Sequence, residues 1–359
     1  MPQDHVLFVQ NRSQRAGAQV SLSRLVTQPS IQGLYPHVIL GTKGWLNHFL
    51  TESSVSHDIR SWPSPRSLSA RLGGLRKFAQ VTVNDLAQRE ISLSAIIAND
   101  HQECLPALAL AKAAGGVPVI TILRTPGMTV QDFEKYRCND CDHLFARGQE
   151  LTEKVKHWSG HNLSCMLGSF SESDLIPPSE SPLAMPTRIL VAGSEEPRKG
   201  FQDLIQAIQI VEKVQSFPAL EIVFTGTKTQ SLEQLIQPNF RSQFKFVGRI
   251  DDFKEFAKEF QLAIHPSRAE TFGMAPFELI LAGVPTMLSS TGAASSLAME
   301  TPWIFPPKSP DILAEQLVLI WKKWQNIRPD MTALQKRILD TYPISASANA
   351  LAKKIQQLT

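Results

Sequence analysis

Uninterrupted apolar runs, each followed by a short polar loop and then by apolar positions at helical spacing, repeat along this chain. Val6–Val9, His37–Leu40, Ala95–Ala98, the VPVITIL segment ending at Leu123, His143–Ala146 and Leu163–Leu167 read as strands of a first half. Runs with no polar alternation are what a parallel sheet covered on both faces requires. Between them, Gly17 leads into a helix carrying Val20, Leu22 and Leu25; Lys43–Leu50 predicts a short helix, and Leu105–Ala114 a longer one closed by Gly115 and Gly116.

The pattern breaks at SESDLIPPSESPLAMP, where four prolines and four serines without periodicity mark a linker, placing a domain boundary near 170–186. It then restarts. Arg188–Val191, Leu220–Phe224, Phe244–Val247, Leu262–Ile264, Pro285–Leu288 and Trp303–Phe305 predict strands. Phe201–Val214, Asp252–Phe260, Met274–Ala282 and Pro310–Trp324 predict the helices between them. The expected organisation is α/β, with Rossmann-like domains over 1–175 and 186–330. A helical tail over 331–359, kinked at Pro343, is expected to pack back on the first domain.

Composition adds limits. A chain of 359 residues with 43% hydrophobic content can bury two ordinary cores without staples. Its net charge of +3 and its motifs give no sign of nucleic-acid binding. No segment reaches the roughly 20 apolar residues of a membrane span, and the start lacks a basic leader, so a cytoplasmic protein is expected. Cys138 and Cys141 form a CxxC around the Asp140–Asp142 D-x-D, but no second CxxC follows and no metal is expected.

Charge is uneven locally. From Arg12 to Arg89 there are ten basic residues against three acidic ones. Within this interval Leu68, Leu72, Leu75 and Phe78 fall at helical spacing beside Arg71, Arg76 and Lys77. Residues 60–77 therefore read either as a core-packed helix or as a basic face lying on an anionic membrane.

Candidate chemistry concentrates at strand ends, where open α/β sheets hold ligands. His101 and Arg124 follow strands of the first half, and Gly17 opens its first helix. In the second half, Gly193 follows the first strand, with Arg198 and Lys199 placed to neutralise phosphate. The stretch HPSRAETFGMAPFELILAGVPTMLSS then puts Thr271, Phe272 and Gly273 at a helix start, where unpaired amides favour an anion. Glu270 and Glu278 bracket that turn with seven residues between them, a layout suited to a nucleotide sugar.

This Glu pair, with TFG after the first and AGVP after the second, resembles the signature of retaining GT-B glycosyltransferases of family 4, the glycosyl transferases group 1. The resemblance implies a GT-B fold, two Rossmann-like domains with parallel sheets facing an interdomain cleft. It implies a hexosyltransferase-type enzyme that moves a sugar from a nucleotide diphosphate sugar, UDP- or GDP-linked, to an acceptor hydroxyl without metal or cofactor. Glycan, glycolipid or polysaccharide synthesis is the implied setting, with a sugar, lipid-linked or small-molecule acceptor and peripheral contact at the inner membrane face. Glu270 would hold the donor sugar and Glu278 the ribose, while Gly17, Gly193, Arg198 and Lys199 line the diphosphate. Arg249 and Ile250 would run along the base, and Thr271, Phe272, Gly273 and Met274 would present the helix start. His101 and Arg124 would stand near the acceptor.

Two departures bear on activity. Ser194 stands where the family carries an arginine, and Arg124 where it usually carries a histidine. They leave open a catalytically silent nucleotide-binding scaffold beside the enzyme, as well as a GT-B epimerase or phosphorylase.

Overall fold

The computed structural model describes residues 4–359 apart from 65, 66, 68–72, 126, 161, 179–185, 194, 195, 215, 227–229, 237, 241, 249, 251, 271, 294–296 and 298–301. The chain divides into two compact units, residues 1–170 with 342–359, and residues 171–341.

Unit 1 holds strands β1 (Asp4–Gln10), β2 (Pro36–Leu40), β3 (Ser56–Ile59), β4 (Ser92–Ala98), β5 (Val119–Leu123), β6 (His143–Arg147) and β7 (Leu163–Met166). All pair in parallel, in the order β3-β2-β1-β4-β5-β6-β7. Alternate residues of the central strands feed two cores. Val6, Phe8, Ile97 and Ile122 pack under Leu22 and Leu25 of the first helix, Gly17–Val26, and under Leu351 and Ile355 of the last, Ile344–Leu358. Leu7, Val9, Ile96 and Leu123 face Leu86 and Leu110 of the helices Gly74–Gln88 and Cys104–Ala113.

The second unit repeats the scheme with β8 (Arg188–Val191), β9 (Glu221–Phe224), β10 (Gln243–Phe246), β11 (Leu262–His265), β12 (Thr286–Ser289) and β13 (Ile304–Phe305), in the order β10-β9-β8-β11-β12-β13. Leu204, Ile208, Leu317 and Ile320 cover one face through the helices Phe201–Val211 and Pro310–Ile327. Leu279, Val284 and Phe260 help to cover the other. Each such fully buried side chain contributes about 1.5–3 kcal/mol relative to exposure.

In both sheets the strand order reverses at the first strand, between β1 and β4 and between β8 and β11. Loops leaving the carboxyl ends of those neighbours therefore diverge and leave a crevice, the position at which doubly wound sheets take their ligands.

The tail expected as one piece over 331–359 divides at Pro343. Met331–Thr341 belongs to unit 2, where Gln335 Nε2 donates to the Ile176, Ile280 and Leu281 carbonyls at 2.8–3.1 Å. Ile344–Leu358 belongs to unit 1, joined by the Phe170 amide to the Tyr342 carbonyl at 2.9 Å. Proline has no N–H to continue the first helix, and its fixed φ sets a new direction.

Burial sets the titration of three groups of unit 1 between about pH 4 and 8. His37 and His143 are both pushed down to about 4, chiefly by burial. Glu103 is pushed up to about 8 by burial and by the Asp100 charge. The histidines stabilise the unit above about 6.5 and cease to as pH falls toward 4, because the unfolded chain then binds the protons. Glu103 acts the other way, costing stability as pH rises from 4.5 to 8. Two histidines against one glutamate leave about one proton net between pH 4.5 and 6.5, a rise of about 1.4 kcal/mol per pH unit, with the sign reversed from 6.5 to 8. Urea denaturation across pH 4.5–8 is expected to show a maximum near 6.5, and Glu103→Gln is expected to remove the falling limb. An unchanged fall in that variant would contradict the assignment.

Candidate active site

The second unit's switch point is built around Glu270. Strand β11 is wholly buried, and the chain leaves it through His265-Pro266-Ser267-Arg268 into a turn that brings Glu270 back to 6% exposure. Four side chains converge on this carboxylate. Lys199 Nζ donates to Oε1 at 2.5 Å, Ser267 Oγ to Oε1 at 2.8 Å, His265 Nε2 lies 3.2 Å from Oε1, and Arg198 Nη1 reaches Oε2 at 3.3 Å. Burial alone would push the carboxyl up, but the His265 hydrogen bond and the Lys199 charge outweigh it, and Glu270 stays ionised well below the usual carboxylate range. Burial lowers His265, so the ring is neutral, with Nε2–H donating to Glu270. Its Nδ1 is buried and has no partner among the described residues.

What holds two distant loops together is a second, separate contact. Arg268 grips Asp203 with Nε–Oδ2 at 2.8 Å and Nη2–Oδ1 at 2.6 Å, and its amide donates to the Arg198 carbonyl at 2.7 Å. Gly200 permits this approach. Its φ is +66°, and a Cβ there would sit 2.0 Å from the Pro266 carbonyl oxygen. Arg198 and Lys199 thereby reach Glu270 from the loop after β8. Sequence reading singled out Arg198, Lys199 and Glu270 but assigned nothing to Asp203, His265, Ser267 or Arg268. The polar run directly after an apolar strand was the available signal for the last three.

The helix begins at Met274, where its spacing predicts, so Phe272 and Gly273, expected to present first-turn amides, precede it. Gly273 is its N-cap at φ +80°, a conformation that no helical residue holds, so the first-turn amides are those of Met274 and Ala275, Pro276 having none. Phe272 is buried and stacked on Phe277 at 4.9 Å, which makes its side chain part of the core. Met274, Ala275 and Glu278 share the half-exposed face of the helix, while Phe277, Leu279 and Ile280 are buried. Ile250 is half-exposed after β10, two strands from β8. Gly193 carries φ +129°, and a Cβ added there would lie 3.7 Å from the Lys199 stem. Thr271, Arg249 and Ser194 lie outside the described residues.

At the switch point of unit 1, Asp100 organises the loop after β4. It accepts from the His101 and Arg124 amides at 2.8 and 3.0 Å and from Thr125 Oγ1 at 2.6 Å. His101 Nδ1 lies 3.0 Å from its carboxylate, which can only accept, so Nδ1 carries a proton. The ring stands edge-on to Tyr136 and lines a cavity of about 360 Å³ with Thr125, Asp132 and Lys135. Arg124 turns elsewhere, donating to the Asn99 carbonyl and Oδ1 and to Ser21 Oγ at 2.7–3.0 Å.

At Gly17 an added Cβ would meet nothing within 4 Å, and its φ is not positive, so the protein itself does not require glycine there. Gly17→Ala is therefore expected to leave the melting temperature unchanged or slightly raised. If a donor diphosphate approaches this backbone, turnover falls about tenfold; unchanged turnover removes Gly17 from the site.

The CxxC is accounted for inside the core. Cys138 and Cys141 are buried with Cys104, Cys104 and Cys138 lying 3.6 Å apart, while Thr121 Oγ1 donates to Cys141 Sγ at 3.2 Å. Of the D-x-D, Asp142 accepts from the Val119 amide at 2.8 Å and Asp140 pairs with Arg137.

Residues 186–323 match the model for glycosyl transferases group 1. The second unit is a glycosyl transferases group 1 domain, and the chain has the GT-B fold. An uncharacterized glycosyltransferase of Methanocaldococcus jannaschii is 29% identical over 143 residues, 38% of this chain and 36% of that protein's length. The fold likeness extends further. The crystal structure of Anabaena HepE with UDP and glucose superposes with a TM-score of 0.77 at 17% identity, covering 99% of this chain and 100% of that one. Sucrose-phosphate synthase from Thermosynechococcus elongatus gives 0.72 at 14% identity, covering 99% of both. Within the group 1 domain lie all four side chains on Glu270 and the Asp203–Arg268 clasp.

Proposed function

We propose that this chain is a retaining, metal-independent glycosyltransferase of family 4 that moves a sugar from a nucleoside diphosphate sugar to an acceptor hydroxyl, in glycan, glycolipid or polysaccharide synthesis. The observation that carries this reading is the ionised Glu270 carboxylate held between Arg198 and Lys199 beside the start of the helix Met274–Leu281. HepE, solved with UDP-glucose, supports UDP as the first nucleotide to test.

The chemistry follows from what each group can do. When the bond from the anomeric carbon to the diphosphate breaks, charge grows on the leaving oxygen. Lys199, Arg198 and the Met274 and Ala275 amides are preorganised cations and dipoles for it. Three donors crowd Oε1 of Glu270, whereas among the described residues Oε2 meets only Arg198, so Oε2 is the oxygen left to accept from a donor-sugar hydroxyl. Glu278 takes the ribose hydroxyls. Unit 1 takes the acceptor, and His101 Nε2 accepts the hydrogen bond of its hydroxyl. Release of UDP from UDP-sugars in the presence of EDTA, with the product's anomeric configuration read by NMR, tests this. Inversion, or turnover that requires a divalent cation, would contradict it.

Contact with an anionic membrane belongs to the same proposal. No helix among the described residues is long and apolar enough to cross a membrane. Arg60 and Arg89 are paired with Asp58 and Asp85, which reduces the local excess, but Arg76 and Lys77 are exposed on the helix Gly74–Gln88. Leu68, Arg71 and Leu72 lie outside the described residues. Pelleting with anionic vesicles is expected to weaken steeply with salt. Equal recovery on neutral vesicles would remove this element.

A further inference from the structure

The cavity of about 360 Å³ in unit 1 is lined in part by the helix Val130–Lys135. Phe133 is fully buried and anchors this helix to the core, and Thr129 with Asp132 closes its start in a capping box. Asp132, Lys135 and Tyr136 follow one another at steps of three and one, which puts Asp132 level with both others on the cavity side. His101, edge-on to Tyr136 with ring centres 5.1 Å apart, and Gln102 line it from the loop after β4.

The polar groups here are left with hydrogen-bonding capacity to spare. Asp132 Oδ2 accepts from the Thr129 amide at 3.2 Å and from its Oγ1 at 2.8 Å, while Oδ1 has no partner among the described residues. Lys135 Nζ lies 4.6 Å over the Tyr136 ring and 3.5 Å from its hydroxyl, and no carboxylate among the described residues pairs with it. Asp132 and Lys135 thus share a helix at a spacing that usually favours an ion pair, yet make none with each other. His101 is 3% exposed, with Nδ1 on Asp100 at 3.0 Å and no partner for Nε2 among the described residues.

This lining selects by charge and polarity. One carboxylate and one ammonium leave no net charge, so a phosphate attracted by Lys135 meets repulsion from Asp132. An acyl chain would strip water from Asp132, Lys135 and Gln102 without replacing its hydrogen bonds. A sugar ring meets both demands: its hydroxyls donate to a carboxylate and accept from an ammonium, and its C–H face packs on an aromatic ring. The volume lies near the lower end of the roughly 300–1,000 Å³ of small-molecule sites, which suits one ring rather than an oligosaccharide.

We infer that this cavity binds a single neutral sugar residue, and that Asp132 and Lys135 select the sugar by pairing with its hydroxyls. Its role rests on the transferase reading above, in which that residue is the acceptor and His101 meets its reacting hydroxyl.

The test is saturation-transfer NMR of the full chain with the methyl α-glycosides of glucose, galactose and mannose, and with glycerol 3-phosphate as the anionic control, each repeated with saturating UDP. The expected result is binding of at least one glycoside, unequal among the three epimers, unaffected by UDP and without binding of glycerol 3-phosphate. Lys135→Met and Asp132→Asn are each expected to weaken the preferred glycoside at least fivefold and to change the ranking of the epimers, a readout that loss of fold alone would not give. Asparagine can still accept from Thr129, so the melting temperature of Asp132→Asn should stay close to wild type. Glu134→Gln, an exposed position on the same helix outside the cavity lining, should bind as wild type does. No glycoside binding, an unchanged ranking in both variants, tighter binding of glycerol 3-phosphate, or displacement of the glycoside by UDP would overturn the inference. UDP binding without glycoside binding would strike this inference alone, and variant-sensitive glycoside binding without UDP binding would strike the donor reading and leave the sugar site standing.

Discussion

Lys199→Ala is expected to lower turnover of the sugar donor by about 10²–10³-fold, the usual effect of deleting one preorganised donor to a developing oxyanion. The side chain is 12% exposed and tied to Glu270 Oε1, so it is already in place before a diphosphate arrives. Stability should fall less, by about 2 kcal/mol, because Ser267, His265 and Arg198 still contact the carboxylate. Steady-state kinetics with a UDP-sugar, alongside urea denaturation, separates the two effects. A variant that loses stability while keeping turnover would place Lys199 in the framework rather than in the chemistry.

Glu270→Gln should carry the larger structural cost, about 3–5 kcal/mol, together with at least a hundredfold loss of turnover. The amide keeps the shape but leaves Lys199 and Arg198 facing a neutral group, and breaking a buried pair from one side strands the other charge. Its –NH₂ also meets donors wherever it points, since Ser267, His265 and Lys199 all direct hydrogens at Oε1 and Arg198 directs one at Oε2. The double variant Lys199→Ala with Glu270→Gln should be less destabilised than the two losses added, and the difference measures the coupling. Additive losses would mean that the two groups do not act as a pair.

Much of the architecture was legible because buried parallel strands leave an unmistakable trace. Val6–Val9, Ala95–Ala98 and Arg188–Val191 read directly as strands from apolar runs bounded by loop residues. Strand β3 left no such trace. Ser56–Ile59 is an edge strand with no buried residue, whose polar residues carry neither an apolar run nor a clear alternation. Gly283 follows its helix in the left-handed conformation at φ +79°, which glycine takes without steric cost.

The site was legible where its residues are contiguous and illegible where they are not. Glu270 and Lys199 stand out within short motifs. The clasp that brings them together joins Asp203 to Arg268 across 65 positions, and no local pattern pairs those two residues. Arg147 is the opposite case: it was assigned nothing at the end of its apolar run, and only the folded sheet reveals that it is buried. Phe272 and Gly273 fall outside the first turn for one reason, the positive φ of Gly273.

The most direct test of the donor site is thermal stabilisation of the purified chain by UDP, GDP, ADP and CMP without added metal, comparing wild type with Lys199→Ala and Glu278→Ala. A ligand that binds only the folded state raises the melting temperature, by more the further its concentration exceeds its Kd. The expected result is a rise with UDP that is lost in both variants. A rise of equal size in wild type and both variants, or none with any nucleotide, would contradict a donor site built from Lys199, Glu270 and Glu278.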